Sequence, residues 1–176
     1  MIVTMRPHFF REPPEDGYMP NEWMLALAWA EAVLLQVRAT RDAIKSFDNL
    51  DRMNERMDYD VPPDMEAAFR DAWTSEVTLV WMTQQLALWV SKALGAWDAK
   101  TAIPDHKTWR NALEHLDEAL LKDGVATENP DLKKKNKHQA ISDLSDDIYI
   151  GQLGERDPLR VVRLDELEQA VAALLV

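Results

Sequence analysis

The sequence predicts a mainly α-helical protein: an antiparallel helical bundle with two long helices, followed by a small C-terminal β-hairpin and a short terminal helix. The first observation is an apolar spacing of three and four residues, typical of helices, through two long stretches of the chain. The second is a proline pair between them, which a helix interior does not tolerate. The third is a change to short β-type runs around Gly151 and Gly154. Proline-marked connections at 61–63 and 99–104 favour antiparallel neighbours.

The first long helix is predicted to begin at Asn21, a suitable N-cap residue, and to run into the fifties. Residues 1–20 before it are rich in proline and lack an apolar period, so they are expected to form an irregular N-terminal arm. The polar stretch 48–60 either continues the helix as a charged end or breaks it near Asn49. Pro62-Pro63 then ends it. Its predicted buried face consists of Trp23, Leu27, Ala30, Leu34, Val37 and Ile44.

The second long helix is predicted from Asp64 to Leu94, with Gly95 as its stop. Its tryptophans recur every eighth residue, which turns each ring about 80° from the previous one. Such a helix is apolar most of the way round, so it is either the central helix of the bundle or also faces a second subunit. Core packing is favoured over a tryptophan cofactor site. The chain has seven tryptophans, more apolar surface than one small bundle covers, so we expect a homodimer.

A third helix is predicted from the N-cap Asp105 to Gly124, and residues 21–123 would together form the helical bundle. Residues 124–140 are expected to be a basic polar linker. Residues 141–176 would pack on the same domain as a hairpin, with strands 147–150 and 159–162, and a last helix that begins with a capping pair, Asp165 and Glu168. The predicted buried residues of the third and last helices are Trp109, Leu113, Leu116 and Leu120, and Leu167, Val171 and Leu174.

The composition limits the classes of function. A chain of 176 residues fits one domain, and its net charge of −11 argues against broad binding to nucleic acid, although a local basic cleft would still permit it. The absence of cysteine excludes disulfides, thiolate catalysis and cysteine-type zinc sites, and it suits a reducing compartment. The N-terminus lacks a signal-peptide core, and no apolar run approaches the roughly 20 residues of a membrane span. We therefore expect a cytoplasmic protein without a membrane partner.

The third predicted helix carries Arg110, Asn111 and His115 in the order arginine, polar residue, three further residues, histidine. This pattern resembles the motif of HEPN domains. The resemblance implies an all-helical bundle of a bacterial toxin–antitoxin or other defence system, with metal-independent endoribonuclease activity. It also implies that the motif helices of two subunits meet at a dimer interface. In such a site His115 would act as general acid or base, Arg110 would grip the phosphate, and Asn111 would orient the imidazole.

Further candidates for RNA contact lie in the basic run of the predicted linker. Four lysines within five residues would hold a phosphate backbone despite the net charge, although most such runs are solvated loops. We find no Glu-x-x-His pair, no glycine-rich phosphate loop and no serine elbow, so neither a metal nor another cofactor is predicted. The candidate nucleic-acid-binding residues are Lys133, Lys134, Lys135 and Lys137.

The alternative is a non-catalytic helical interaction module, either an inactive HEPN-like member or an acidic partner that neutralises another protein. Arg110 and His115 are about 140° apart on a helix, and Glu114 stands one turn after Arg110 as its default ion-pair partner. One observation separates the two hypotheses. A nuclease needs an accessible His115 that faces a cleft, whereas the interaction module leaves Arg110 bound to Glu114 or Asp117.

Overall fold

The computed structural model describes residues 21–55, 63–94, 103, 106–122, 124–135, 137–144, 148–149 and 162–175. The expected N-terminal arm, residues 1–20, lies outside the described residues. The predicted fold class is confirmed: two long helices pack against each other, and an antiparallel hairpin and a short C-terminal helix accompany them. None of the helices in these ranges combines the length and the hydropathy needed to cross a membrane.

The two long helices match the predicted ones closely. Helix α1 spans Asn21–Glu55 and helix α2 spans Pro63–Leu94. Proline suits the first position of a helix because its missing N–H would have no helical partner there. The rings of Phe47 and Phe69 form an edge contact at 5.7 Å between centroids, so the end of α1 lies beside the start of α2. The helices are therefore antiparallel neighbours.

Apolar side chains of both helices form two buried clusters. The smaller cluster lies at the end of α1 and contains Phe47, Met65, Ala68, Phe69 and Ala72. The larger cluster also includes residues of the last helix, α5, which spans Leu164–Leu175. A polar contact lies between α1 and α2, where Gln36 Nε2 donates to Ser75 Oγ at 2.8 Å and the Thr40 hydroxyl donates to the Ser75 carbonyl at 3.2 Å.

Helix α5 buries the face that its spacing predicts, namely Leu167, Val171 and Leu174. Its predicted capping pair has another role, because the helix begins at Leu164 and Asp165 lies inside its first turn. Arg41 Nη2 donates to Asp165 at 2.9 Å and to Glu168 at 2.7 Å, which ties α1 to α5. The bonds to Glu168 and Asp165 raise the pKa of Arg41 above its ordinary value. A cation with a raised pKa loses its stabilising contribution only as the pH rises through that pKa, so Arg41 itself adds no pH dependence near neutrality.

The third predicted helix is wrong in its length. Helix α3 spans only Lys107–Glu114, and a 3₁₀ turn, Leu116–Glu118, follows it. Strands β1, Leu120–Lys122, and β2, Val125–Thr127, then form an antiparallel hairpin. Lys122 pairs with Val125 across Asp123-Gly124, a dipeptide typical of two-residue hairpin turns, and Gly124 has φ of 71°. The chain therefore turns back at the glycine that was expected to cap a helix.

Strand β3, Ile148–Tyr149, lies within the first strand of the predicted C-terminal hairpin, and it pairs with β2 in the sheet order β1-β2-β3. Of the second predicted strand, residues 159–161 lie outside the described residues, and Val162 belongs to no strand. Residues 124–140 hold β2 and a one-turn helix, α4, Pro130–Lys134. Asn129 caps α4 by accepting from the Asp131 N–H at 3.0 Å.

Candidate functional site

Helix α3 is positioned by its small and aromatic residues. Ala112 is fully buried and clusters with Ala126 of β2 and Ile148 of β3. Trp109 and Leu113 are half-buried and contact both this cluster and the core of the long helices. Helix α3 therefore lies between the small sheet and α2. Because Ala112 faces the sheet, its neighbours Arg110 and Asn111 lie along the flanks of that buried face.

The guanidinium of Arg110 is bound to Glu114. Its Nε and Nη2 donate to the same carboxylate oxygen at 3.1 and 2.9 Å. The two side chains are one helical turn apart and partly exposed, so the pair adds at most about 1 kcal/mol of stability. Its main consequence is electrostatic. A guanidinium that already neutralises a carboxylate has less attraction for a phosphate than a free one.

His115 lies just past the end of α3 and is half exposed, with 51% of its side chain accessible. Its Nδ1 is 3.8 Å from the Glu118 carboxylate, which is beyond hydrogen-bonding distance. Its backbone N–H donates to the Asn111 carbonyl at 3.1 Å. The Asn111 side chain forms no hydrogen bond to the imidazole within the described ranges. Within the described ranges, no side chain forms a hydrogen bond that would orient the imidazole.

The structure does not bring Arg110 and His115 together within one subunit. Arg110 lines a shallow depression of about 290 Å³ between α3 and α2, and His115 is not part of its lining. The opposite wall of this depression is apolar and consists of Val77, Val80 and Trp81. Asn111, the third predicted catalytic residue, does not line the depression either.

The basic run is partly neutralised by acidic neighbours. Lys133 Nζ is 2.6 Å from the Glu128 carboxylate, and Lys134 Nζ is 3.3 Å from that of Asp131. Lys135 and Lys137 are exposed and form no ion pair with the part of the chain that the structure describes. Two of the four predicted RNA-contacting lysines therefore remain available as cations, which weakens the site as a phosphate-binding surface.

Sequence reasoning missed an open apolar groove beside α2. Leu121 of β1 lines this groove and is 54% exposed, and Leu116 also lines the groove. The indole N–H of Trp73 is buried and has no hydrogen-bond partner among the residues that the structure describes. The groove is an open depression of about 710 Å³ lined by Phe69, Arg70, Trp73, Thr74, Leu116 and Leu121. The Asp-Gly turn signal at 123–124 would have predicted the hairpin that supplies Leu121.

Two buried polar side chains were also missed. Glu76 of α2 is fully buried, and its carboxylate accepts from the Val162 N–H at 3.2 Å, just before α5 begins. His106 is buried at the start of α3, where its carbonyl accepts from the Arg110 N–H at 2.8 Å. Local periodicity gives no sign of the Glu76 contact, because its partner is 86 positions along the chain and depends on how distant segments pack.

Within the described ranges, no three histidine, aspartate or glutamate side chains converge into a metal-binding cluster. The chain matches no protein-family model, and neither a curated protein nor a solved structure matches it.

Proposed function

We propose that this protein is a non-catalytic helical interaction module that binds a protein partner. The observation that carries the proposal is the Arg110–Glu114 pair, in which two guanidinium N–H groups are already bound to a carboxylate. Cleavage of RNA without a metal needs a cation and a proton-transfer group at one phosphate. Arg110 is neutralised at one flank of α3, whereas His115 lies beyond the end of the helix.

Exposed apolar surface supports the same proposal. The apolar groove is an open depression of about 710 Å³, and the Trp73 indole N–H buried in its wall has no hydrogen-bond partner within the described ranges. Trp81 and Leu88 of α2 are also more than 40% exposed. Contiguous apolar surface that is open to solvent is typical of protein-binding sites. The net charge of −11 favours a basic partner over a nucleic acid.

The second candidate is a HEPN-like, metal-independent endoribonuclease of a toxin–antitoxin or defence system. One observation favours it: the His115 imidazole is half exposed and not hydrogen-bonded to Glu118, so it is available as a general acid or base. This candidate needs a second subunit to place its own Arg110 beside His115. It also needs the Arg110–Glu114 pair to open.

An RNA-cleavage assay in the presence of a chelator separates the two candidates. The wild type, Arg110→Ala, His115→Ala and Glu114→Gln are compared, the last because it releases the guanidinium. His138→Ala serves as a control at another exposed histidine. We expect no cleavage above the buffer blank by any of them. Equal cleavage by all five proteins would indicate a contaminant and agree with the proposal. Cleavage that is lost only in Arg110→Ala and His115→Ala would overturn it and establish the nuclease.

A further inference from the structure

The outward face of α1 carries an apolar seam. Its residues alternate three and four apart, the heptad spacing by which one helix packs along another. Leu35 is 66% exposed and Leu25 is 38% exposed, so their apolar surface has no partner within the described ranges. The opposite side of α1 is the buried one, with Ala30 and Val33 in the core. The seam, called here the outer face of α1, consists of Leu25, Ala28, Ala32, Leu35 and Ala39.

Two opposite charges stand along one flank of the outer face. Glu31 and Arg38 are seven residues apart, so they project from the same side of the helix, two turns from each other. Both are exposed, and neither forms an ion pair with another residue of the described part of the chain. The other flank carries Trp29 and Gln36, and the Trp29 ring meets Trp81 of α2 edge to face at 5.5 Å.

The charges of one copy of α1 can pair with those of a second copy when the two helices pack antiparallel in one particular alignment. If Ala32 lies opposite Leu35 of an antiparallel copy, Ala28 lies opposite Ala39 and Leu25 lies opposite Asp42, while on one flank Glu31 of each copy lies within two positions of Arg38 of the other. The two-fold axis repeats each of these contacts, giving two identical ion pairs. A parallel pair would instead place Glu31 beside Gln36 and leave both charges without a partner.

We propose that α1 pairs antiparallel with α1 of a second copy of this chain through its outer face, with reciprocal Glu31–Arg38 ion pairs. The alanines allow the two backbones to approach closely, at the short end of the usual 8–10 Å interhelical distance. A single helix pair buries less than the roughly 1,200–2,000 Å² of a standard interface, so the dimer should dissociate in the micromolar range. The inference goes beyond the proposed function, because α3 packs on α2 and takes no part in this interface.

Sedimentation equilibrium of the full chain tests the surface. The wild type should be a dimer at high micromolar concentration, and Leu35→Asp should be a monomer with an unchanged circular dichroism spectrum, because Leu35 is exposed in the subunit. Met53→Asp is the matched control. Met53 is 60% exposed on the same helix, and within the described ranges the register pairs residues 21–46 of the two copies and leaves Met53 outside the contact. A monomeric wild type, or a dimer that Leu35→Asp leaves intact, would overturn the proposal.

A charge exchange tests the register. Glu31→Arg and Arg38→Glu should each weaken the dimer about tenfold, because each puts like charges opposite one another twice. The double variant restores both pairs, so its dissociation constant should return to within about threefold of the wild type. Additive weakening in the double variant would exclude the antiparallel register. None of these substitutions lies on α3. The dimer tests and the RNA-cleavage assay can therefore fail independently of each other.

Discussion

Two glutamates differ in whether their contacts can be predicted from the sequence. Glu114 is exposed, and the spacing of four residues predicts its pair with Arg110, which the structure contains. Glu76 is fully buried and accepts from the Val162 N–H, 86 positions along the chain. No local pattern marks Glu76, because its partner is a backbone group brought there by the fold. Residue-scale pairs are predictable when they are local and unpredictable when they depend on tertiary packing.

Glu76→Ala should destabilise the protein by about 2–4 kcal/mol. The substitution leaves a buried N–H without its acceptor and opens a cavity between α2 and the segment that leads into α5. The free energy of unfolding in urea measures the loss. Glu66→Ala, an exposed carboxylate on the same helix, is the control and should change stability by less than about 0.5 kcal/mol. Equal effects of the two substitutions would show that the buried hydrogen bond contributes nothing.

At the scale of elements, the sequence predicts the long helices and the strand that contains β3, but it misses β1 and β2. Helices α1, α2 and α5 follow from apolar periodicity because each buries a continuous face. Leu116 and Leu120 continue the spacing of α3, yet the helix ends at Glu114. The competing interaction is non-local: Ala112 packs against Ala126 and Ile148, and the sheet that holds them requires β1 to be extended. Apolar periodicity along the chain cannot predict this contact between α3 and the sheet.

Gly124→Ala should destabilise the hairpin by about 1–2 kcal/mol. Gly124 has φ of 71°, and in this left-handed region a Cβ atom crowds the following carbonyl oxygen. Gly124→Asn should cost less, since asparagine adopts this conformation more readily. Chemical denaturation measures the free energy of unfolding of each variant relative to the wild type. An alanine variant as stable as the wild type would be incompatible with the turn described here.

At the scale of the whole molecule, the candidate site depends on what surrounds it. The sequence places Arg110, Asn111 and His115 on or next to one helix, and the structure agrees. It does not reveal whether two such motifs meet, because that requires knowing which surface a second copy covers. The exposed apolar residues of α1 lie on a different helix from the motif, and α3 packs on α2. The proposed self-association through the outer face of α1 would therefore not use α3 as its contact surface.

A distance between the two α3 helices tests most directly the claim that this chain acts through its surfaces and builds no composite catalytic site. The chain has no cysteine, so Thr108→Cys carries a single spin label on an exposed position of α3. In the proposed dimer the outer faces of α1 meet and each α3 packs on α2, so the two α3 helices should not be in contact. Pulsed electron paramagnetic resonance should give a separation above about 30 Å. A shorter distance, with the two motif helices in contact, would contradict the account.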